Sequence, residues 1–136
     1  GGFIMCIFCE IIKGNIPCYK VYEDDVCIAF LDISQATIGH TLIVPKEHIE
    51  NVFELDENLA AHLFKIATDL SKTLKNDLKI NDINILNNNG VKAGQTVNHY
   101  HIHLIPRYDE NDLNISFNSN QLSKEEFNEL LHKIIK

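Results

Sequence analysis

Between Asn98 and Arg107 the chain alternates histidine with apolar residues: His99, Tyr100, His101, Ile102, His103, Leu104. A period of two is the period of a β-strand, whose successive side chains point to opposite faces. One face of this segment is then a row of three imidazoles, and the other, Tyr100, Ile102 and Leu104, must be covered by a core. Residues two apart along a strand lie roughly 6.5–7 Å apart, twice a rise of about 3.3 Å. That spacing suits three rings set around a phosphate or a metal. It does not suit a core, where each imidazole needs polar partners. A single histidine on a half-buried strand is usually only a hydrogen-bonded polar residue. Three in strict alternation, internal to the chain as an affinity tag would not be, point to a functional site.

The rest of the pattern supplies the partners of that strand. Cys6 to Lys13 carries apolar residues at helical spacing and ends at Gly14, a short helix with a glycine cap. Tyr19–Glu23 and Val26–Asp32 form a hairpin around Asp24-Asp25. With a two-residue turn there, Cys27 faces Tyr22 and Cys18 faces Leu31. After a loop from Ile33 to Gly39, a third strand runs from Thr41 to Val44 and is closed by Pro45. Asp56 caps the one long helix, Asp56–Lys75, whose apolar stripe is Leu59, Leu63, Ile66, Leu70 and Leu74. Ile83–Leu86 is a fourth strand, followed by the glycine-containing loop Gly90–Thr96 and the histidine strand. Asp109–Asn120 is a polar loop. Ser123-Lys124-Glu125-Glu126 is a capping box opening a last amphipathic helix that carries Phe127, Leu130, Leu131, Ile134 and Ile135. Strands in runs with helices outside them predict an α+β fold with an antiparallel sheet. The 136 residues form one domain, 1–136, with 109–136 as a polar loop plus a C-terminal helix. Gly1-Gly2 reads as the remnant of a cleaved tag and Met5 as the natural start, so residues 1–4 stand outside the fold.

The net charge of −7 argues against a basic surface gripping nucleic acid. No apolar run reaches the roughly 20 residues that span a bilayer. No basic segment with a long apolar stretch opens the chain, so no secretory signal is expected, and the cytoplasm, or the nucleus, is the expected compartment. Of the four cysteines, Cys6 and Cys9 form a C-x-x-C that reads as a metal or redox pair. A structural zinc needs two more ligands, for which His48 and His99 are candidates; the other reading is a buried pair of thiols. Cys18 and Cys27 read as small hydrophobes. Gly39-His40 leads into a strand, and His40 gains a role only if the fold brings it to the histidine row. Arg107, at a strand end, is a phosphate ligand or an ordinary solvated arginine.

Taken together, His99-Tyr100-His101-Ile102-His103-Leu104-Ile105 resembles the defining His-φ-His-φ-His-φ-φ pattern of the histidine triad (HIT) superfamily. The resemblance runs from about Cys6 to Tyr108. It includes Ala29-Phe30-Leu31-Asp32-Ile33, Gly39-His40, Val44-Pro45-Lys46-Glu47-His48-Ile49, Asn88, and Ala93-Gly94-Gln95-Thr96-Val97. The likeness is to the histidine triad nucleotide-binding branch of the zinc-site type, the purine nucleoside phosphoramidases. It implies a five-stranded antiparallel sheet with a long helix, and a homodimer. It implies cleavage of AMP conjugates of the adenosine phosphoramidate type, with His101 as the nucleophile. His103 would hold the phosphate oxygens, His40 would orient the cluster, and Gln95 and Thr96 would donate hydrogen bonds to the phosphate. Thr96 would also help protonate the leaving amine. Gly94 belongs to the same loop, and Asn88 would point into the phosphate end. Asp32 would accept from the ribose, and Phe8, Ile11, Phe30, Leu31 and Ile33 would line the base and ribose pocket. A structural zinc would be held by Cys6, Cys9, His48 and His99, and catalysis would need no metal. Other readings within reach of the same residues are a dinucleoside polyphosphate hydrolase and a nucleotide-sensing or scaffold protein. Two departures stand out: Ala93 where relatives often have glycine, and a tail after Arg107 unlike that branch's usual ending.

Overall fold

The computed structural model describes residues 6–135. Gly1-Gly2 and Met5, and with them the tag reading, lie outside the described residues. Helix α1 (Ile7–Ile12) precedes the hairpin strands β1 (Lys20–Glu23) and β2 (Cys27–Leu31). Then come β3 (Thr41–Pro45), the long α2 (Glu57–Leu78), β4 (Asp82–Leu86), β5 (Ile102–Arg107) and α3 (Lys124–Ile134). The five strands make one antiparallel sheet in the order β1-β2-β3-β5-β4. No helix among the described residues is long and apolar enough to cross a membrane.

The sheet is covered on both faces, which is why β2 and β3 are almost continuously apolar rather than alternating. On one face Leu63, Ile66, Ala67 and Leu70 of α2 pack on Cys27, Ala29, Ile43, Ile102 and Leu104. On the other, Phe8 of α1 packs with Ile28, Phe30, Leu42 and Val44. Each large aliphatic side chain buried this way stabilises the fold by about 1.5–3 kcal/mol. Register aligns Phe30, Leu42 and His103 side by side across β2, β3 and β5, so His103 faces the α1 side of the sheet. Asp56 caps α2 by accepting from the backbone of Asn58 and Leu59. The helix runs three residues beyond the expected end at Lys75. It stops where Lys79 turns left-handed at φ 57°, a cap that composition does not announce.

Three expectations change. First, β5 begins at Ile102, so His99 and His101 precede the strand rather than lie within it. Their backbone is held by other partners: the Tyr100 N–H donates to Ile49 O at 2.6 Å, and the Asn87 side-chain amide donates to His101 O at 2.8 Å. Tyr100, Ile102 and Leu104 still turn into the core. Second, the hairpin closes at Asp25-Val26, one residue later than expected. Asp24 N–H bonds Cys27 O, and the Asp24 carboxylate accepts from the N–H groups of Val26 and Cys27. Cys27 therefore faces Asp24, not Tyr22, and Leu31 N–H pairs with Tyr19 O, not with Cys18. Third, Arg107 neither reaches the histidines nor floats in solvent. Its guanidinium is tied to Asp112, to Asn84 and to carbonyls of the 109–113 turn.

Candidate active site

Two clusters meet where β5 begins, beneath α1. In the first, the side chains of His40, His101 and His103 close on one another. His40 immediately precedes β3 and follows Gly39, whose φ of +97° only glycine adopts without strain. The Ala36 N–H points at His40 Nδ1 (3.1 Å), so the ring's proton sits on Nε2 and is donated to His103 Nδ1 at 2.9 Å. That leaves the Nε2–H of His103 as a free donor. His101 Nδ1–H donates to His99 O (2.7 Å), which leaves His101 Nε2 as an unprotonated nitrogen. The rings of His101 and His103 lie 4.9 Å apart, and Phe8 meets His101 edge-on at 5.1 Å. Burial lowers the pKa of all three histidines. His103, opposed also by the charges of His101 and His40, is pushed down to about 4. The cluster is therefore neutral at pH 7, with one lone pair available to attack and one N–H available to hold an oxyanion.

The cluster opens into a cavity of about 370 Å³ between α1 and the sheet. Phe8, Ile11, Phe30, Leu31, Asp32, Ile33, Thr96, His101 and His103 line it. Ile33 stands exposed at the rim. Asp32 turns one oxygen to the Ser34 N–H (2.8 Å), and its other oxygen lies 3.7 Å from His40 Nε2. The cavity also takes in Ile16, Pro17, Cys18, Tyr19 and Leu42. The first four lie in and just beyond the turn after α1, a segment with no periodicity to mark it. Leu42 looks from sequence like any other core residue.

The Gly90–Thr96 loop differs from expectation at Gln95. Its side chain is buried and spent within the loop: Nε2 donates to Glu50 O and Val97 O, and Oε1 accepts from Gly90 N–H. Gln95 therefore shapes the loop and does not reach toward a phosphate. Gly94 (φ +90°) packs beside the Asn88 side chain, and neither lines the cavity. Two neighbours missed by sequence reasoning fix this end of the site. Asn87 holds the His101 carbonyl, and Asn89 joins Asn87 to the Val52 N–H. Only the run of three asparagines at a strand end hinted at such a role.

In the second cluster, Cys6, Cys9, His48 and His99 place one ligand atom each within 4.8 Å of one another. Cys6 Sγ lies 3.3 Å from His99 Nδ1, Cys9 Sγ 3.2 Å from His48 Nδ1, and the two Nδ1 atoms are 3.1 Å apart. Bonds of about 2.0–2.3 Å to a tetrahedral ion set its ligands roughly 3.3–3.8 Å apart, so the four fit such an ion with small adjustment. His99 Nε2–H donates to Pro45 O at 2.8 Å, which frees Nδ1 for a metal. Two thiols and two imidazoles suit a borderline-soft divalent cation and leave no open position on it.

The chain and its fold are similar to those of known proteins. The chain is 38% identical over 130 residues to adenosine 5'-monophosphoramidase hnt1 of Schizosaccharomyces pombe, covering 95% of each. It superposes on the crystal structure of a HIT family protein from Bacillus anthracis with a TM-score of 0.89 at 47% identity, over 95% of this chain and 94% of that one. A zinc-bound histidine triad family protein from Mycobacterium smegmatis matches with a TM-score of 0.77 at 31% identity, over 85% of this chain and 84% of that one. The HIT domain family model matches residues 13–110, a stretch that holds His40, His48 and all three histidines of the row. With the family model matching most of the chain and relatives alike in sequence and fold over nearly its whole length, this chain belongs to the HIT domain family.

Proposed function

We propose that the protein hydrolyses purine nucleoside phosphoramidates, using His101 as the nucleophile. The observation that carries this reading is the free Nε2 of His101. It lines a cavity of nucleotide size, with its tautomer fixed from behind by His99 O. The base and ribose would lie against Phe8, Ile11, Phe30, Leu31 and Ile33, with Asp32 accepting from the ribose hydroxyls. His101 Nε2 attacks the α-phosphorus as the P–N bond breaks. The electron pair leaves with the amine, which takes a proton that the hydroxyl of Thr96, a residue of the cavity lining, helps deliver. His103 Nε2–H stabilises the charge on the phosphoryl oxygens, and His40 holds His103 in the tautomer that makes this possible. Water then attacks the nucleotidyl-histidine, releases the nucleoside monophosphate and regenerates His101. Splitting the displacement into two steps is what a histidine nucleophile contributes. The phosphoramidase name of the fission-yeast relative supports the substrate class.

Cys6, Cys9, His48 and His99 would hold a structural zinc, which would supply only a covalent tie between α1 and the segment leading into β5. The donor set and the zinc-bound mycobacterial relative support this reading. The test is steady-state hydrolysis of adenosine phosphoramidate in chelator by the parent and by His101→Ala, with a dinucleoside polyphosphate as the competing substrate. Turnover by the parent, none by a folded His101→Ala protein that still binds AMP, and a smaller specificity constant on the polyphosphate are expected. An active His101→Ala protein overturns the mechanism, and preference for the polyphosphate overturns the substrate class.

A further inference from the structure

The histidine cavity has a neighbour. A second cavity of about 330 Å³ lies beside it, and the two share Ile7, Thr96 and Val97 in their linings. The first is walled by Phe8, Ile11, Phe30 and Leu31, surfaces that suit a base and a ribose. The second is of another character. Glu50, Thr96 and Asn98 line it, and the side chains of all three are without a hydrogen bond or an ion pair among the described residues. Glu50 is tied to the rest of the protein through its backbone carbonyl instead.

The second cavity is preformed. Gln95 Nε2 donates to Glu50 O at 2.7 Å and to Val97 O at 3.0 Å, so one buried amide pins both walls. The Tyr100 N–H donates to Ile49 O at 2.6 Å and fixes the segment that carries Glu50. The charge in this space has one sign. No lysine or arginine lines either cavity, and the acids are Asp32 in the first and Glu50 in the second. A divalent cation held beside it by Cys6 and Cys9 as thiolates would leave that cluster without net charge. A ligand entering the second cavity therefore meets the carboxylate of Glu50 with nothing to offset it.

We propose that the second cavity receives the leaving group, and that Glu50 selects an amine bearing a second, cationic nitrogen a few carbons from the P–N bond. This inference rests on the phosphoramidase reading above. Base and ribose fill the first cavity, so the substituent on the amine needs room elsewhere. The second cavity adjoins at Thr96, the residue that would pass a proton to the departing nitrogen. At about 30 Å³ for each water-sized group, it takes roughly ten of them, enough for a short diamine. An ammonium group brings three donors, and the Glu50 carboxylate and the Asn98 side-chain carbonyl are free to accept. As the P–N bond breaks, the near nitrogen keeps the electron pair and takes one proton. The far nitrogen stays an ammonium ion beside Glu50, and the free diamine leaves. A leaving group that carries phosphates meets the same carboxylate with no cation between them, which disfavours a dinucleoside polyphosphate.

Three conjugates of AMP test this. One carries a four-carbon diamine, one carries pentylamine as its uncharged isostere, and one carries a four-carbon ω-amino acid with an anion at the far end. In the parent, kcat/KM should be about fivefold higher for the diamine than for the pentylamine conjugate, the discrimination of a partly exposed charge pair, and lowest for the amino acid. Glu50→Gln should bring the first ratio to about one, and Glu50→Lys should reverse the order of the two charged conjugates. Affinities of the same three for folded His101→Ala protein, measured by calorimetry, read the preference without turnover. Equal values across the three, or a ratio unchanged in Glu50→Gln, overturns the inference, while turnover of all three keeps the phosphoramidase reading. A Glu50-dependent preference in binding, with no conjugate turned over by the parent, overturns the phosphoramidase reading and keeps Glu50 as the group that selects a cation.

Discussion

Gly39→Ala is expected to damage both stability and the site through one added methyl. Gly39 has φ +97°, and a left-handed backbone costs a non-glycine residue about 1–2 kcal/mol. The new Cβ would stand 2.5 Å from Leu78 Cδ1 and 3.2 Å from Pro106 Cγ. Leu78 ends α2 and its side chain can rotate away, whereas the Pro106 ring is fixed in β5. Overpacking of this kind costs about 1–3 kcal/mol. The sum, about 2–5 kcal/mol, is a large share of the roughly 5–15 kcal/mol that holds a domain folded. Urea unfolding followed by circular dichroism, with Leu78→Ala and the double variant completing a cycle, separates the Leu78 contact from the other costs. In the Leu78→Ala background the 2.5 Å contact is removed while the 3.2 Å contact to Pro106 stays, so Gly39→Ala should cost less than in the parent but still more than the backbone share of about 1–2 kcal/mol. Turnover per folded molecule should fall as well, because Gly39 sets the position of His40 and through it the 2.9 Å contact to His103. A loss below about 0.5 kcal/mol, within the range of neutral surface changes, would refute the reasoning. An equal loss in both backgrounds would refute the Leu78 contact as a source of the cost.

Asn87→Ala leaves the buried His101 carbonyl without its donor, at a cost of about 1–3 kcal/mol. It should lower kcat more than it raises KM, and an unchanged kcat would show that Asn87 does not position His101. Burial alone would raise the Asp24 carboxyl, but hydrogen bonds from Tyr22, Cys27, Val26 and His62 outweigh it and hold the group well below the usual carboxylate range. A depressed folded pKa gives stability that is present above the unfolded value of about 3.9 and lost as pH falls through the folded one. Asp24→Asn should therefore flatten the acid limb of a stability-against-pH curve below about pH 5; an unchanged slope would count against the Asp24 network. Cys9→Ser, which removes one ligand of the proposed zinc site, should abolish stoichiometric zinc in the purified protein and lower its melting temperature while the proposed His101 chemistry persists; a zinc-free parent would remove the structural role.

Much of the fold was legible because its signals are local. The stripe on α2, the Asp56 cap, the existence of the first hairpin and the Ser123 capping box each rest on signals within a short stretch of sequence, and all are present. The errors fell where side-chain or distant contacts override the local backbone pattern. Asp24 looked like the tip of a tight turn, but its carboxylate gathers Val26 and Cys27 and moves the turn by one residue. Gln95 looked like a free donor beside a glycine, but the carbonyls of Glu50 and Val97 claim its amide. Alternation placed His99 and His101 on a strand, whereas Ile49 and Asn87 take the hydrogen bonds a neighbouring strand would have made.

The sequence by itself determined the types of element, the apolar faces that build the core, and the histidine row, because periodicity and capping depend on neighbours a few residues apart. Tertiary structure decided which groups meet. It carried His40 to His103 across 63 residues and His99 to Cys6 across 93. It shaped the cavity beneath α1 and left α3 exposed along its length. Those outcomes depend on strand register and on packing between distant segments, which no short-range pattern encodes.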